Sequence, residues 1–86
     1  MDINQLVQIV KKKIFESINP EKIIVEDKSF LHKKHKFHED GKFHLKLTIQ
    51  SKKLKEKNKI EKTKIIYKAL DSELKYNIHS LEILFK

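Results

Sequence analysis

The 86-residue chain contains no cysteine, no arginine and no tryptophan, and only one glycine and one proline. Without cysteine there are no disulfides, and no set of thiolates with which the chain alone holds an iron–sulfur cluster. The same lack permits a cytoplasmic setting without requiring it. The missing arginine removes the planar fork that best matches phosphate and guanine. One glycine, Gly41, cannot make the G-x-x-G loop of a KH-type RNA site. No stretch approaches the ~18 consecutive apolar residues of a membrane helix. The start MDINQLVQIVKKK has no basic leader followed by an apolar run, so no secretory signal is expected.

What the chain has in excess is lysine. Net charge is +8, and lysine supplies all 20 basic residues. Such a surface fits an acidic partner, nucleic acid first among them. Lys52, Lys53, Lys55, Lys57, Lys59, Lys62 and Lys64 are the candidate contacts, gathered before and within a helix N-terminus that favours phosphate. The competing account is compositional. Heavy use of lysine, isoleucine and asparagine is what AT-rich coding produces, and these lysines then form a solvated face. Both accounts stand on the sequence alone.

A chain this short supports one domain, residues 1–86, with one modest core. Asp2 and Gln5 form a capping box for a helix over residues 3–18. Ile3, Leu6, Val7, Val10, Ile14 and Ile18 line one face of it, and Asn19-Pro20 stops it. KIIVED (residues 22–27) reads as a strand. In FHLKLTIQS (residues 43–51), Phe43, Leu45, Leu47 and Ile49 alternate with His44, Lys46, Thr48 and Gln50, which predicts a strand buried on one face. Residues 52–59 form a lysine-rich connection anchored only by Leu54. Asn58 and Glu61 then cap a second helix over residues 59–75. Its inner stripe is Thr63, Ile66, Tyr67, Leu70 and Leu74, with Ile65 and Ala69 alongside and Asn77 as a left-handed stop. IHSLEILF (residues 78–85) is the last strand, with His79, Leu81, Ile83 and Phe85 on one parity. The order is α-β-β-α-β.

Four of the five histidines fall in LHKKHKFHEDGKFH, residues 31–44. A long polar loop in a short domain is uncommon unless it has a use. His32, His35 and His38 recur at i, i+3, i+6 among lysines, a pattern that most often marks a solvated loop, and a structural zinc site wants four ligands in closed geometry. His38, beside Glu39-Asp40-Gly41, belongs to a turn. His44 alternates away from the apolar face and reads as a surface histidine. Asp27 and Ser29 are placed to tie the base of the loop by turn bonds. Two strands joined by a helix run parallel through a right-handed crossover, whereas the first two are antiparallel neighbours. His44, His79 and the loop then share one edge of the sheet.

These residues resemble a known family. V-E-D-K-S-F-L-H-K-K-H (residues 25–35) is similar to the D-e-S-x-x-H-x-x-H run of BolA-like proteins. K-F-H-L-K-L-T-I-Q-S (residues 42–51) is similar to their t-H-F-x-v-x-i-v-S strand. I-I-Y-K-A-L-D-S-E-L (residues 65–74) and I-H-S-L-E-I (residues 78–83) resemble their second helix and i-H-A-L-x-i strand. The resemblance implies an α+β, class II KH-like fold with a three-stranded mixed sheet and helices on one face. It also implies a monothiol glutaredoxin as partner and a [2Fe–2S] cluster bridging the two proteins, with glutathione on the glutaredoxin side. The family's strand histidine falls on His79, and a loop ligand falls among His32, His35 and His44. The chain is expected to be a monomer alone and a heterodimer with its partner. One departure is that the family's basic R-H-R reads Lys62-Thr63-Lys64, which weakens a DNA-binding reading more than the cluster reading. There is no cysteine nucleophile, no phosphate loop, and no serine that the sequence sets beside a histidine and an acid, so no enzyme is expected.

Overall fold

The computed structural model describes residues 2–29 and 42–86. The elements are α1 (Ile3–Ile18), β1 (Lys22–Asp27), β2 (Phe43–Gln50), a short 3₁₀ turn (Lys52–Leu54), α2 (Lys59–Ala69), α3 (Asp71–Tyr76) and β3 (Ile78–Phe85). His32, His35 and His38 lie outside the described residues.

Helix α1 begins where its first turn is satisfied. Asp2 Oδ1 accepts from the Gln5 N–H at 2.8 Å, and the Gln5 side chain returns the bond to the Asp2 N–H at 3.1 Å. It ends at Asn19, whose φ of 43° is left-handed, a conformation asparagine tolerates better than most residues. Leu6, Val10, Ile14 and Ile18 are its buried face.

The sheet has the order β1-β2-β3. β1 and β2 are antiparallel, with Val25 opposite Leu47 and Ile23 opposite Ile49. β2 and β3 are parallel, as the crossover through a helix requires. Leu45, Leu47 and Ile49 of the central strand bury completely or nearly so against Leu6, Val10, Ile14, Ile66 and Leu70. Cutting any of these leucines or isoleucines to alanine would cost about 2–5 kcal/mol. Leu54 anchors the lysine-rich connection at 2% exposure. The Lys52 N–H, given to Glu21 Oε2 at 3.0 Å, ties that connection to the start of β1. That bond, then the residue's own N–H and the charges of Lys52 and Lys55, hold the Glu21 carboxyl below its ordinary range.

Three expectations are corrected. The second helix is two helices, because Leu70 leaves the helical region at φ −105°, ψ 19°. The break is silent in the apolar pattern because Ile66, Leu70 and Leu74 all still pack inward. Tyr67 is not in the inner stripe but 45% exposed, since the core needs only Ile66 and Leu70 from that turn. Asn77 is not left-handed (φ −127°, ψ −23°). Its N–H closes α3 on the Glu73 carbonyl at 2.8 Å, and its carbonyl takes the Phe43 N–H at 2.9 Å. The residue that ends the helix therefore already begins the pairing of β3 with β2.

The short α3 is held to α1 by charge. Lys13 Nζ reaches both Glu73 oxygens, at 2.9 and 2.8 Å, and the Glu73 side chain is only 8% exposed against 38% for Lys13. Removing the cation strands a buried carboxylate. Lys13→Met should lower stability by about 1–3 kcal/mol in urea denaturation. Lys13→Met combined with Glu73→Leu should recover most of the loss; an unchanged midpoint in the single variant would show that Glu73 is already solvated.

Candidate functional site

The start of β2 and the start of β3 lie side by side because the two strands run parallel, and this edge holds His44 and His79. Phe43 pairs with Ile78, but His44 pairs with Ser80, so the register slips by one residue and His79 is the residue left over. Bulges of this kind re-aim side chains and recur beside functional sites. The slip corrects the expected parity of β3. Ile78 is buried and Leu81, Ile83 and Phe85 pack against the core, whereas His79 is exposed.

His44 points to the sheet face opposite Leu45 and Leu47, as the alternation predicts, yet it is only 8% exposed. The surface-histidine reading is therefore corrected. Polar groups from both neighbouring strands meet it. The Asp27 carboxylate takes the Ser29 N–H at 2.9 Å, which folds Ser29 back so that its Oγ accepts the His44 N–H at 3.0 Å. The Lys28 N–H reaches the His44 carbonyl at 2.7 Å. Asp27 and Ser29 thus make the expected turn bonds, joining the end of β1 to the start of β2. On the β3 side, His44 Nδ1 lies 2.6 Å from Ser80 Oγ. The His44 and His79 rings stand with centroids 5.0 Å apart, tilted by 57°.

The arrangement brings together two of the four histidines expected to bind a metal, His44 and His79; His32 and His35 lie outside the described residues. Among the described residues, no group of three or more histidine, aspartate or glutamate side chains could hold a metal ion. A neutral imidazole is a good ligand for iron and zinc, and the hydrogen bond made by its other nitrogen fixes tautomer and orientation. Ser80 is placed to make such a bond, and sequence reasoning did not single it out. Its one signal was a serine where the resembled family's strand carries alanine, and its role depends on the slipped register that puts it opposite His44.

Of the lysines before and within α2, Lys52, Lys53, Lys55, Lys57, Lys59 and Lys64 are exposed, as the solvated-face and phosphate-contact readings both require. Lys62 is different. It is half-buried, and its ammonium sits 5.3 Å from the centre of the Phe85 ring. No helix among the described residues is long and apolar enough to cross a membrane.

A family model described as "BolA-like protein" matches residues 14–86. Over 76 residues the chain is 32% identical to the DNA-binding transcriptional regulator BolA of Haemophilus influenzae, covering 88% of this chain and 71% of that one. Over 82 residues it is 30% identical to SufE-like protein 1, chloroplastic/mitochondrial, of Arabidopsis thaliana. That match takes in 90% of this chain but spans only 22% of the Arabidopsis protein. Among solved structures, the BolA domain of SufE1 from Arabidopsis thaliana superposes with a TM-score of 0.79 at 27% identity, covering 100% of this chain and 93% of that one. BolA1 from Arabidopsis thaliana does so with 0.78 at 25%, covering 92% and 87%.

Ser80→Ala should cost about 1–2 kcal/mol in denaturant midpoint and shift the ring-nitrogen NMR resonances of His44. If the His44 resonances stay in place, the short Nδ1 contact is not a hydrogen bond.

Proposed function

The chain belongs to the BolA-like protein family, and from that membership we propose that it is a non-enzymatic partner of a monothiol glutaredoxin in iron–sulfur trafficking or iron regulation. In this role it supplies histidine to a [2Fe–2S] cluster shared with the glutaredoxin and its glutathione, in a cytoplasmic setting. The observation that carries the reading is His79: an exposed imidazole at a strand mouth, set out by a register slip and 5.0 Å from a second imidazole ring.

The donor set fits half of a site. The chain has no thiolate to give, and a cluster that takes two nitrogen ligands from one protein still needs sulfur ligands from another. His79 is the first ligand; the second is His44 or one of His32 and His35. Histidine in place of cysteine raises a cluster's reduction potential, which suits a group that is to be sensed or passed on.

A second reading is nucleic-acid binding through Lys52, Lys53, Lys55, Lys57, Lys59, Lys62 and Lys64. Two observations favour it: the exposure of six of these lysines, and the name of the Haemophilus relative. Lys62 is the weakest member, since its ammonium is already engaged with Phe85.

One set of mixtures separates the readings. Combined anaerobically with a monothiol glutaredoxin, glutathione, iron and sulfide, the chain should form a heterodimer with an altered visible circular dichroism spectrum. His79→Ala should change that spectrum and weaken the cluster-bridged heterodimer by about 10–100-fold. An unchanged spectrum and affinity would remove His79 from the ligand set. Nucleic-acid binding should instead fall steeply with salt and weaken on charge reversal at Lys53 and Lys55, while His79→Ala leaves it unaffected.

A further inference from the structure

The outward face of α2 is used by neither the core nor the histidine edge. Ile60 is 68% exposed and Tyr67 45% exposed. They stand seven residues apart, two helical turns, so both lie on one side of the helix. Lys64 sits between them, Lys59 and Lys68 flank them, and all three are exposed. Beside Ile60 is a shallow hollow of about 320 Å³ lined by Lys59, Ile60, Thr63 and Lys64, walled almost entirely by carbon. The neighbouring acids offset this stripe only in part: Asp71 is paired with Lys75 at 3.4 Å, and Glu61, on the Lys64 and Lys68 side of Ile60, is one carboxylate against three lysines.

This face shares no residue with the proposed cluster edge. Lys62 over Phe85 sets the first turn of α2 against the end of β3, and His79, the second residue of that strand, lies six residues earlier, roughly 20 Å along it at ~3.3 Å per residue.

We propose that the outward face of α2 docks an acidic amphipathic segment of a partner protein. The segment's carboxylates lie against Lys59, Lys64 and Lys68, and its apolar side chains cover Ile60 and Tyr67. Charge complementarity selects the acidic partner, on a chain whose net charge is +8. The apolar pair selects among acidic partners. Phosphates gain from the lysines but nothing from an exposed isoleucine, and specific nucleic-acid contact favours arginine, which this chain lacks. An 11-residue helix offering two outward apolar side chains gives a lipid surface little to bury. Paired with carboxylates, the same two side chains are the anchor pattern of a helix seated on a partner.

The test uses the full chain and fluorescence anisotropy with a labelled amphipathic peptide of glutamates and leucines. Its control is the same peptide with glutamine in place of glutamate. The acidic peptide should bind and the control should not. Ile60→Ser combined with Tyr67→Ser should weaken binding by about tenfold or more, with the far-ultraviolet spectrum and the glutaredoxin complex unchanged. Lys64→Glu combined with Lys68→Glu should slow association most at low salt. Equal binding of both peptides, or of the wild type and the Ile60/Tyr67 variant, would overturn the proposal. So would binding of duplex DNA or phosphatidylglycerol vesicles that depends on Ile60 and Tyr67 while the acidic peptide is ignored. Loss of the glutaredoxin complex in His79→Ala, with peptide binding intact, would confirm that the two surfaces act independently.

Discussion

The parallel pairing of β2 and β3 is the constraint on which the rest of the molecule depends. Parallel neighbours cannot be joined by a tight turn, so the chain must leave the end of β2, cross the sheet and return to its start. The 3₁₀ turn, α2 and α3 are that return path, and their inner residues Ile66, Leu70 and Leu74 close the core over Leu45, Leu47 and Ile49. Pairing in parallel also sets the two strand starts beside each other. His44 and His79, distant in sequence, become neighbours for topological reasons before any local attraction acts. The Lys13–Glu73 pair belongs to the same logic, because it holds the last and shortest helix of the return path against α1.

Much of this was legible in the sequence, and the reasons are local. The capping box at Asp2 and Gln5, the clean alternation of β2 and the Asn19-Pro20 stop each report on a few adjacent residues. Topology followed from element order alone, and with it the placement of His79 near His44. What was hidden depends on more than one element. The break at Leu70 leaves the apolar spacing intact, so periodicity cannot see it. The register slip at His79 comes from two strands, not one, and it takes His79 alone off the parity it would share with Leu81, Ile83 and Phe85. His44 looked like a surface residue because alternation reports which face a side chain takes. What surrounds it on that face depends on other segments, among them Ser29 from β1's end and Ser80 from β3.

Lysine was the hardest feature to read, because composition and function leave the same trace in a single sequence. The structure divides the lysines by what each one touches. Lys13 is committed to a buried carboxylate, Lys28 to Glu26 at 2.8 Å, and Lys62 to an aromatic ring. These have structural uses. Lys59, Lys64 and Lys68 surround an exposed apolar pair, whereas Lys52, Lys53 and Lys55 flank a connection whose one anchor is Leu54. Net charge treats all of them alike, but the lysines around Ile60 and Tyr67 sit where a partner gains from burying carbon as well as from meeting charge.

The histidine edge and the α2 face therefore pose different recognition problems. At the edge, the backbone N–H of His44 is held by Ser29 and its ring by Ser80, while His79 is exposed on a slipped strand. One histidine is preorganised and the other is presented, which would lower the ordering cost for the partner proposed to complete the site. The α2 face has no such preparation. Its side chains are long and solvated, and their attraction is screened within about 10 Å at moderate salt. Specificity there must come from the apolar pair, since exposed charge alone discriminates little. The first kind of surface suits a fixed stoichiometric partner, and the second suits an exchangeable one.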